Sequence, residues 1–401
     1  MKTLDKLFIN GTAKSVFGLG VTATIGYGTL FYSFTIMSVA LENHFGWSKS
    51  FLFGVFSFGL LLGGLTTPYI GKKLDQYGAR TIMSIGSLLA FLGLIFLSQV
   101  ETKLEFILTI IFIEIVSTFV LYEAAFVAFS QIAKQKARLP MTQITLIAGF
   151  ASTIFWPLIS FLLDFYTWQE VYIILSLFHL FIAFPLHLFT LPNRELSNKQ
   201  IQHEDNSLYS RFEGKKNTKK SMILIGVALC LIAIPIASIQ THLIGLLDTF
   251  GIEAVVAVSL GALIGPAQVG ARIFEMTFAK KITPIASSII STGLLLLSTI
   301  TLLFCGYSIT IATLFVILFG AGQGLNYIAR GSLPLYILGS DNFGKNSGYL
   351  NLYIKVVTAM APFAFALSLE YLGNITSVII LLLLSIISII ALYFIPKENN
   401  V

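Results

Sequence analysis

The sequence predicts an all-α membrane protein, with twelve transmembrane helices in two six-helix bundles and both termini in the cytoplasm. Three observations carry that prediction. Apolar residues fill 56% of the 401 positions and charged residues only 11%, whereas soluble domains carry roughly 25% charged residues. The apolar residues gather in twelve runs, each near the roughly 20 residues that cross a bilayer as a helix. One long polar gap, 192–221, separates six runs from six.

In chain order the runs are 15–41, 50–70, 81–100, 105–131, 141–163 and 170–191, then 222–247, 254–278, 285–305, 309–336, 347–370 and 375–395. The first run is too long for a signal-peptide core and leads into further spans. The expected domains are an N-terminal bundle (1–191), a cytoplasmic linker (192–221) and a C-terminal bundle (222–401). The linker carries Arg194, Lys199, Arg211, Lys215, Lys216, Lys219 and Lys220. That composition suits a solvated connection, with room for a surface helix. Of the 25 Lys and Arg, twenty fall on the side that holds both termini and the linker, two (Lys49 and Lys103) on the other, and three inside runs. The excess of positive charge marks the cytoplasmic side.

Several function classes drop out. The net charge of +6 is dispersed over loops, which is not the footprint of a nucleic-acid binder. Cys230 and Cys305 lie in apolar runs and read as small core residues, not as a disulfide framework or a metal site. The five histidines are scattered, without metalloprotease spacing, and no Gly-rich Lys-Ser/Thr loop is present to cradle ATP. No catalytic set, cofactor or metal is therefore expected. A sensor role would need a signalling domain, for which linker and tails are too short and polar. The lipid bilayer of the cell membrane is an expected partner, and the chain is expected to act as a monomer.

Between the second and third runs stands Gly71-x-x-x-Asp75-x-x-Gly78-x-Arg80, read as a short charged loop that turns at its two glycines. Lys72, Lys73 and Arg80 place it on the positive side. This pattern, in this position, resembles the signature loop of the major facilitator superfamily of secondary transporters. With the six-plus-six arrangement, the resemblance covers nearly the whole chain. It implies two halves related by an axis along the membrane normal, a substrate site between them near the midplane, and a small-molecule solute and protons as partners. The equivalent place in the second half, 278–284, has no aspartate, so an asymmetric cytoplasmic gate is expected. The first-span stretch Tyr27-Gly-Thr-Leu-Phe-Tyr32 and the turn Gly46-Trp47-Ser48 are similar to bacterial monocarboxylate and oxalate/formate-type porters, whose members move small organic anions. Drug–proton antiporters of the superfamily usually carry Gly-Pro in span five. Here the stretch is Phe155-Trp156-Pro157. Proton-driven efflux of a toxic compound, metabolite or metallophore stands as the alternative.

Charge inside hydrocarbon costs on the order of 3 kcal/mol, so each intramembrane charge is a functional candidate or a structural partner. Span four holds Glu114 and Glu123, nine residues apart and on opposite sides of a regular helix. Glu123 is the better candidate for the cavity and for proton coupling. Glu114 packs against a neighbouring helix or carries a proton there. Span ten presents Gln323, Asn326 and Arg330 on one face, after small residues (Gly320, Gly322, Gly324) that admit a close neighbour. Arg330 and Glu123 lie at similar depths of corresponding spans. Either Arg330 binds an anionic group with Glu123 as counter-charge or proton site, or the two form a gate ion pair. Span eight aligns Gln268, Arg272 and Glu275 behind Gly265-Pro266, where a bend is expected. Arg272 and Glu275 suit a structural or gating role. Span eleven aligns Asn351, Lys355, Thr358 and Pro362. Lys355 has no acid on its own helix and awaits a carboxylate from another span or from the substrate. Tyr27 and Tyr32 in span one, Thr145, Gly149, Ser152 and Trp156 in span five, and Gln240 in span seven are pocket candidates or packing residues. His242, 200° around from Gln240, reads as a packing histidine.

Overall fold

The computed structural model describes residues 12–193, 218–278 and 282–395. Residues 194–217 of the expected 192–221 linker, Lys280–Lys281 and the terminal Lys2, Lys6 and Lys397 lie outside the described residues, and the last four linker positions instead begin the helix Thr218–Thr249. Every regular element among the described residues is a helix. In a bilayer that is dictated by chemistry, because a helix pairs its own backbone groups where no water can.

Among the described residues, eleven helices are long and apolar enough to cross a membrane. Span eight falls out of that set because it is broken into Ala254–Gly261 and Ile264–Phe278. The break precedes Pro266, not at it. Proline at the third position of the second piece removes only an N–H that had no intrahelical acceptor.

Four other spans depart from a regular α-helix. Span one, Ala13–Phe45, contains a π-helical segment, Tyr27–Tyr32. Span four is interrupted at Leu121, whose extended backbone (φ −84°, ψ −168°) divides Lys103–Val120 from Tyr122–Ala133. Span five is divided at Gly149–Phe150 into Arg138–Ala148 and Ala151–Leu163. The opposite placement of Glu114 and Glu123 expected of a regular span four, and the shared face expected of Thr145, Gly149, Ser152 and Trp156 in span five, therefore do not follow from unbroken helical spacing. Span six, Trp168–Thr190, carries a second π-segment, His179–Ala183. Spans ten and eleven, Ile309–Leu338 and Phe343–Leu372, run unbroken through Pro334 and Pro362.

The helix ends follow local chemistry. Thr102 with Glu105 and Thr167 with Glu170 form capping boxes, each satisfying orphan amides reciprocally. The expected 71–80 loop is not a loop. The second-span helix, Lys49–Tyr77, extends through Gly71 and Asp75, and the chain turns at Gly78 alone (φ +81°) before Ala79–Ser98 begins. Gly71 serves another purpose: a Cβ there would lie 2.0 Å from the Gly344 carbonyl oxygen. It is a close-approach glycine, not a turn glycine.

Contacts group the chain into two compact units. One is Met1–Ser210 with Ser340–Leu352, and the other is Arg211–Gly339 with Tyr353–Val401. The first unit buries a core that includes Met37, Leu41, Leu94, Phe106, Val120 and Tyr172. The core of the second includes Ile239, Leu247, Leu302, Phe315, Phe319 and Val378.

Candidate functional site

In the second unit, polar side chains from spans seven, eight, nine and ten meet in one network. Span ten approaches closely because Gly320 and Gly324 face span eight, where a Cβ would stand 2.7 Å from the carbonyl oxygens of Ile264 and Gln268 respectively. Gly322 turns the other way, toward Leu295 and the Ser291 carbonyl of span nine. Gln323 sits at the centre, 1% exposed. Its Oε1 accepts from Gln268 Nε2 at 2.6 Å and its Nε2 donates to Gln240 Oε1 at 2.7 Å. Arg272 Nη2 donates to Gln268 Oε1 at 3.4 Å, and its Nε to the Gly324 carbonyl at 3.5 Å. Glu275, also buried, accepts from Ser287 at 2.9 Å. The network runs from the buried Gln323 and Arg272 through the half-buried Gln268 to the exposed Gln240, and its members satisfy one another.

Tyr327 lies beside this network with a guanidinium near each approach to its ring. Arg272 Cζ is 5.7 Å and Arg330 Cζ 5.4 Å from the centroid, within cation–π range. Arg330 is half-buried. Among the described residues its hydrogen bonding consists of Nε donating to Asn326 Oδ1 at 3.2 Å. A guanidinium has five N–H donors, so four are uncommitted. Lys355, half-buried on span eleven, has a partner of its own. His242 Nε2 donates to the Pro362 carbonyl at 3.1 Å and the ring packs on Phe365. It is thus tied to span eleven and separate from Gln240.

In the first unit the aromatic candidates form a cluster. The Tyr27 ring is 4.5 Å from that of Tyr122 and 6.3 Å from that of Tyr32, which lies 6.0 Å from Trp156. Trp156 Nε1 donates to the Tyr32 carbonyl at 3.1 Å. Thr145 is buried and its hydroxyl donates to the Thr142 carbonyl at 2.8 Å. Glu123 stands in the first turn of Tyr122–Ala133, where the helix dipole favours a carboxylate. It borders a cavity of about 10 Å³ with Thr67, Ser347 and Asn351. Glu114, 3% exposed, packs on span two, where Gly63 leaves room for its carbonyl and Gly59 for its side chain. Glu123 belongs to the first unit and Arg330 to the second.

The signature residues are assembled within the first unit. Asp75 Oδ1 accepts from the Gly344 amide at 3.0 Å and Oδ2 from the Lys345 amide at 2.8 Å. Its carboxylate thereby caps the start of Phe343–Leu372, where amides have no intrahelical acceptors. Arg80 bonds the Asn193 side chain. Gln131 of span four closes the corner, accepting from the Ala79 amide at 3.0 Å and donating to the Leu74 carbonyl at 2.9 Å. Beside this corner lies a cavity of about 290 Å³ whose lining includes Arg80, Gln131, Lys134, Asp341 and Asn342. Lys134 and Asn342 are the two described non-glycine residues with positive φ, at +46° and +51°.

Sequence reasoning did not single out Tyr327, Gln131, Tyr122, Thr29 or His179. Tyr327 had a usable signal, since it lies three positions before Arg330 on the same helix. Gln131 and His179 had only their polarity within apolar runs.

The sequence profile of the Major Facilitator Superfamily matches residues 16–362. Among curated proteins no sequence matches significantly. Several solved structures share the fold. The proton:xylose symporter XylE bound to 6-bromo-6-deoxy-D-glucose is 15% identical with a TM-score of 0.70, covering 96% of each chain. The human organic anion transporter MFSD10 (TETRAN) is 14% identical with a TM-score of 0.72, covering 96% of this chain and 100% of its own. The E. coli fucose:proton symporter FucP is 16% identical with a TM-score of 0.69, covering 95% and 98%. The profile match over most of the chain, on an all-helical multi-span fold with the signature corner in place, shows that the chain belongs to the Major Facilitator Superfamily of membrane transporters.

Proposed function

We propose that the chain is a secondary active transporter of the cell membrane that carries a small organic anion by alternating access, coupled to protons. The observation that carries this reading is Arg330. It is a half-buried guanidinium in a membrane span with one hydrogen bond among the described residues. A cation in hydrocarbon is costly unless paired, and four free donors in a planar fork suit a carboxylate. Gln323, Asn326 and Gln240 supply polar contacts around it, and Tyr327 a ring face. Lys355 adds a second cation for the same anion. Within this reading Glu123 is the proton site, with Glu114 as a second carboxyl on the same span. A membrane carboxyl whose charged neighbours change as the two units rock exchanges a proton once per cycle. Arg272 and Glu275, buried and hydrogen-bonded, hold the binding helices, and Asp75 with Gly71, Gly78 and Arg80 sets the gate. Within the first unit, Tyr27, Tyr32 and Trp156 offer an aromatic face suited to an organic solute.

Counterflow in proteoliposomes tests the reading. Vesicles preloaded with one unlabelled carboxylate are assayed for accumulation of the labelled form across a panel of mono- and dicarboxylates, sugars and organic cations. Overshoot with a carboxylate and with neither other class is expected. Overshoot confined to sugars or cations refutes the anion assignment, and its complete absence across all three classes counts against transport of these solutes.

A further inference from the structure

Two π-helical segments occur among the described residues, Tyr27–Tyr32 on span one and His179–Ala183 on span six. One side-chain contact joins them. Thr29 Oγ1 and His179 Nε2 are 2.7 Å apart, and both residues are 1% exposed. The donor can be assigned by counting protons. A threonine hydroxyl has one, and that of Thr29 goes to the Ile25 carbonyl at 2.8 Å. His179 therefore donates from Nε2, which leaves Nδ1 as an acceptor without a partner among the described residues. An imidazole kept in an apolar seam with half its polarity unanswered is a poor choice for packing alone.

The consequence of the π-register lies in the aromatic cluster. Tyr27 and Tyr32 are five residues apart, which in an α-helix separates them by about 140°. Hydrogen bonding from i to i+5 brings such a pair into line, and their ring centroids are 6.3 Å apart. Span five braces the same segment. The Phe155 ring occupies the place of a Cβ at Gly28, 2.1 Å from where it would stand. Trp156, 42% exposed, bonds the Tyr32 carbonyl.

We infer that His179, through Thr29, is a positioning residue that holds span one in its π-register, so that Tyr27, Tyr32 and Trp156 share a face that takes a planar, conjugated ring of the cargo. The cargo class is then an organic anion bearing an aromatic or conjugated ring, and this part rests on the anion-carrier reading above. Half-exposed ring faces favour stacking on a flat group, which a small aliphatic anion does not offer.

The test has two arms on the full-length purified protein. The first needs no ligand. In a background with Trp47→Phe and Trp168→Phe, Trp156 emission and its acrylamide quenching are measured for His179→Leu, His179→Gln and Thr29→Val. His179→Leu and Thr29→Val shift the emission and change quenching about twofold, because Trp156 loses its fixed acceptor. His179→Gln keeps the parent values, since an amide N–H still reaches Thr29. The second arm compares binding of benzoate and cyclohexanecarboxylate, equal in charge and similar in size. The wild type prefers benzoate roughly two- to tenfold, and His179→Leu loses that preference while its affinity for cyclohexanecarboxylate stays put. Unchanged Trp156 signals in both His179→Leu and Thr29→Val overturn the clasp. Loss of thermal stability with the benzoate preference intact shows a merely structural histidine and also overturns it. If the first arm behaves as expected but the wild type shows no ring preference, the platform is wrong. If neither probe binds the wild type, the ring-bearing anion falls with the anion reading, while the first arm still decides the clasp.

Discussion

Replacing Asp75 with asparagine should release the start of the eleventh-span helix by a calculable amount. The two carboxylate oxygens accept the Gly344 and Lys345 amides at 3.0 and 2.8 Å. A hydrogen bond to a charged acceptor contributes about 1.5–3 kcal/mol. Asparagine keeps one carbonyl acceptor but turns an N–H toward the other amide, so one bond is lost outright. Loss of the negative charge at the helix start removes roughly a further 0.3–1 kcal/mol. The sum is about 2–4 kcal/mol, which at 1.4 kcal/mol per decade is on the order of 30- to several-hundred-fold in local opening. Hydrogen–deuterium exchange of a peptide covering 340–352 reads this directly, and Asp75→Asn should accelerate exchange at Gly344 and Lys345 by that factor while peptides from span three stay as in the wild type. Exchange within about threefold of the wild type would refute the capping role, because such a change is under 1 kcal/mol.

Other substitutions probe neighbouring parts of the account. Gly71→Ala places a Cβ 2.0 Å from the Gly344 carbonyl oxygen, so it should accelerate exchange in the same 340–352 peptide without touching a hydrogen bond. Gly324→Ala puts a Cβ 2.7 Å from the Gln268 carbonyl oxygen, an overpacking that costs about 1–3 kcal/mol. Its unfolding midpoint should fall, whereas that of Gly265→Ala, where the space is open, should not. Gln323→Leu removes the hydrogen bonds to Gln268 Nε2 and Gln240 Oε1, each worth about 0.5–1.5 kcal/mol, so solute affinity should fall by roughly several-fold to tenfold as these side chains lose their set positions. Equilibrium binding measured beside a melting curve separates that loss from general destabilisation.

The spans were legible in the sequence because hydrocarbon allows so few solutions: a run of about 20 apolar residues has to be a helix. Departures from regular helix were not legible. Leu121 and the pair Gly149–Phe150 interrupt spans four and five without a proline at the break, and the π-segments of spans one and six meet through Thr29 and His179, 150 residues apart in the chain. Pro266 was visible, yet the break fell ahead of it because proline fits a first turn. The grouping of Gln323, Asn326 and Arg330 followed from helical spacing, and Gly320 and Gly324 do face a close neighbour. Gln240 and Gln268 joined them through tertiary contact that no spacing encodes. The signature pattern was read as a loop because charge and glycine usually mark one. Gly71 instead answers to a carbonyl more than 270 residues away in the chain.

The most direct test of the central claim is the affinity of the purified protein for its carboxylate solute, with Arg330 and with Arg330→Gln, at low and high ionic strength. Truncating one partner of a desolvated, hydrogen-bonded charge pair costs about 2–5 kcal/mol, or on the order of 30- to 4,000-fold in affinity. The account predicts a loss in that range for Arg330→Gln, partial recovery in Arg330→Lys, and an unchanged melting temperature for the unliganded protein. Equal affinity in the wild type and Arg330→Gln would contradict it.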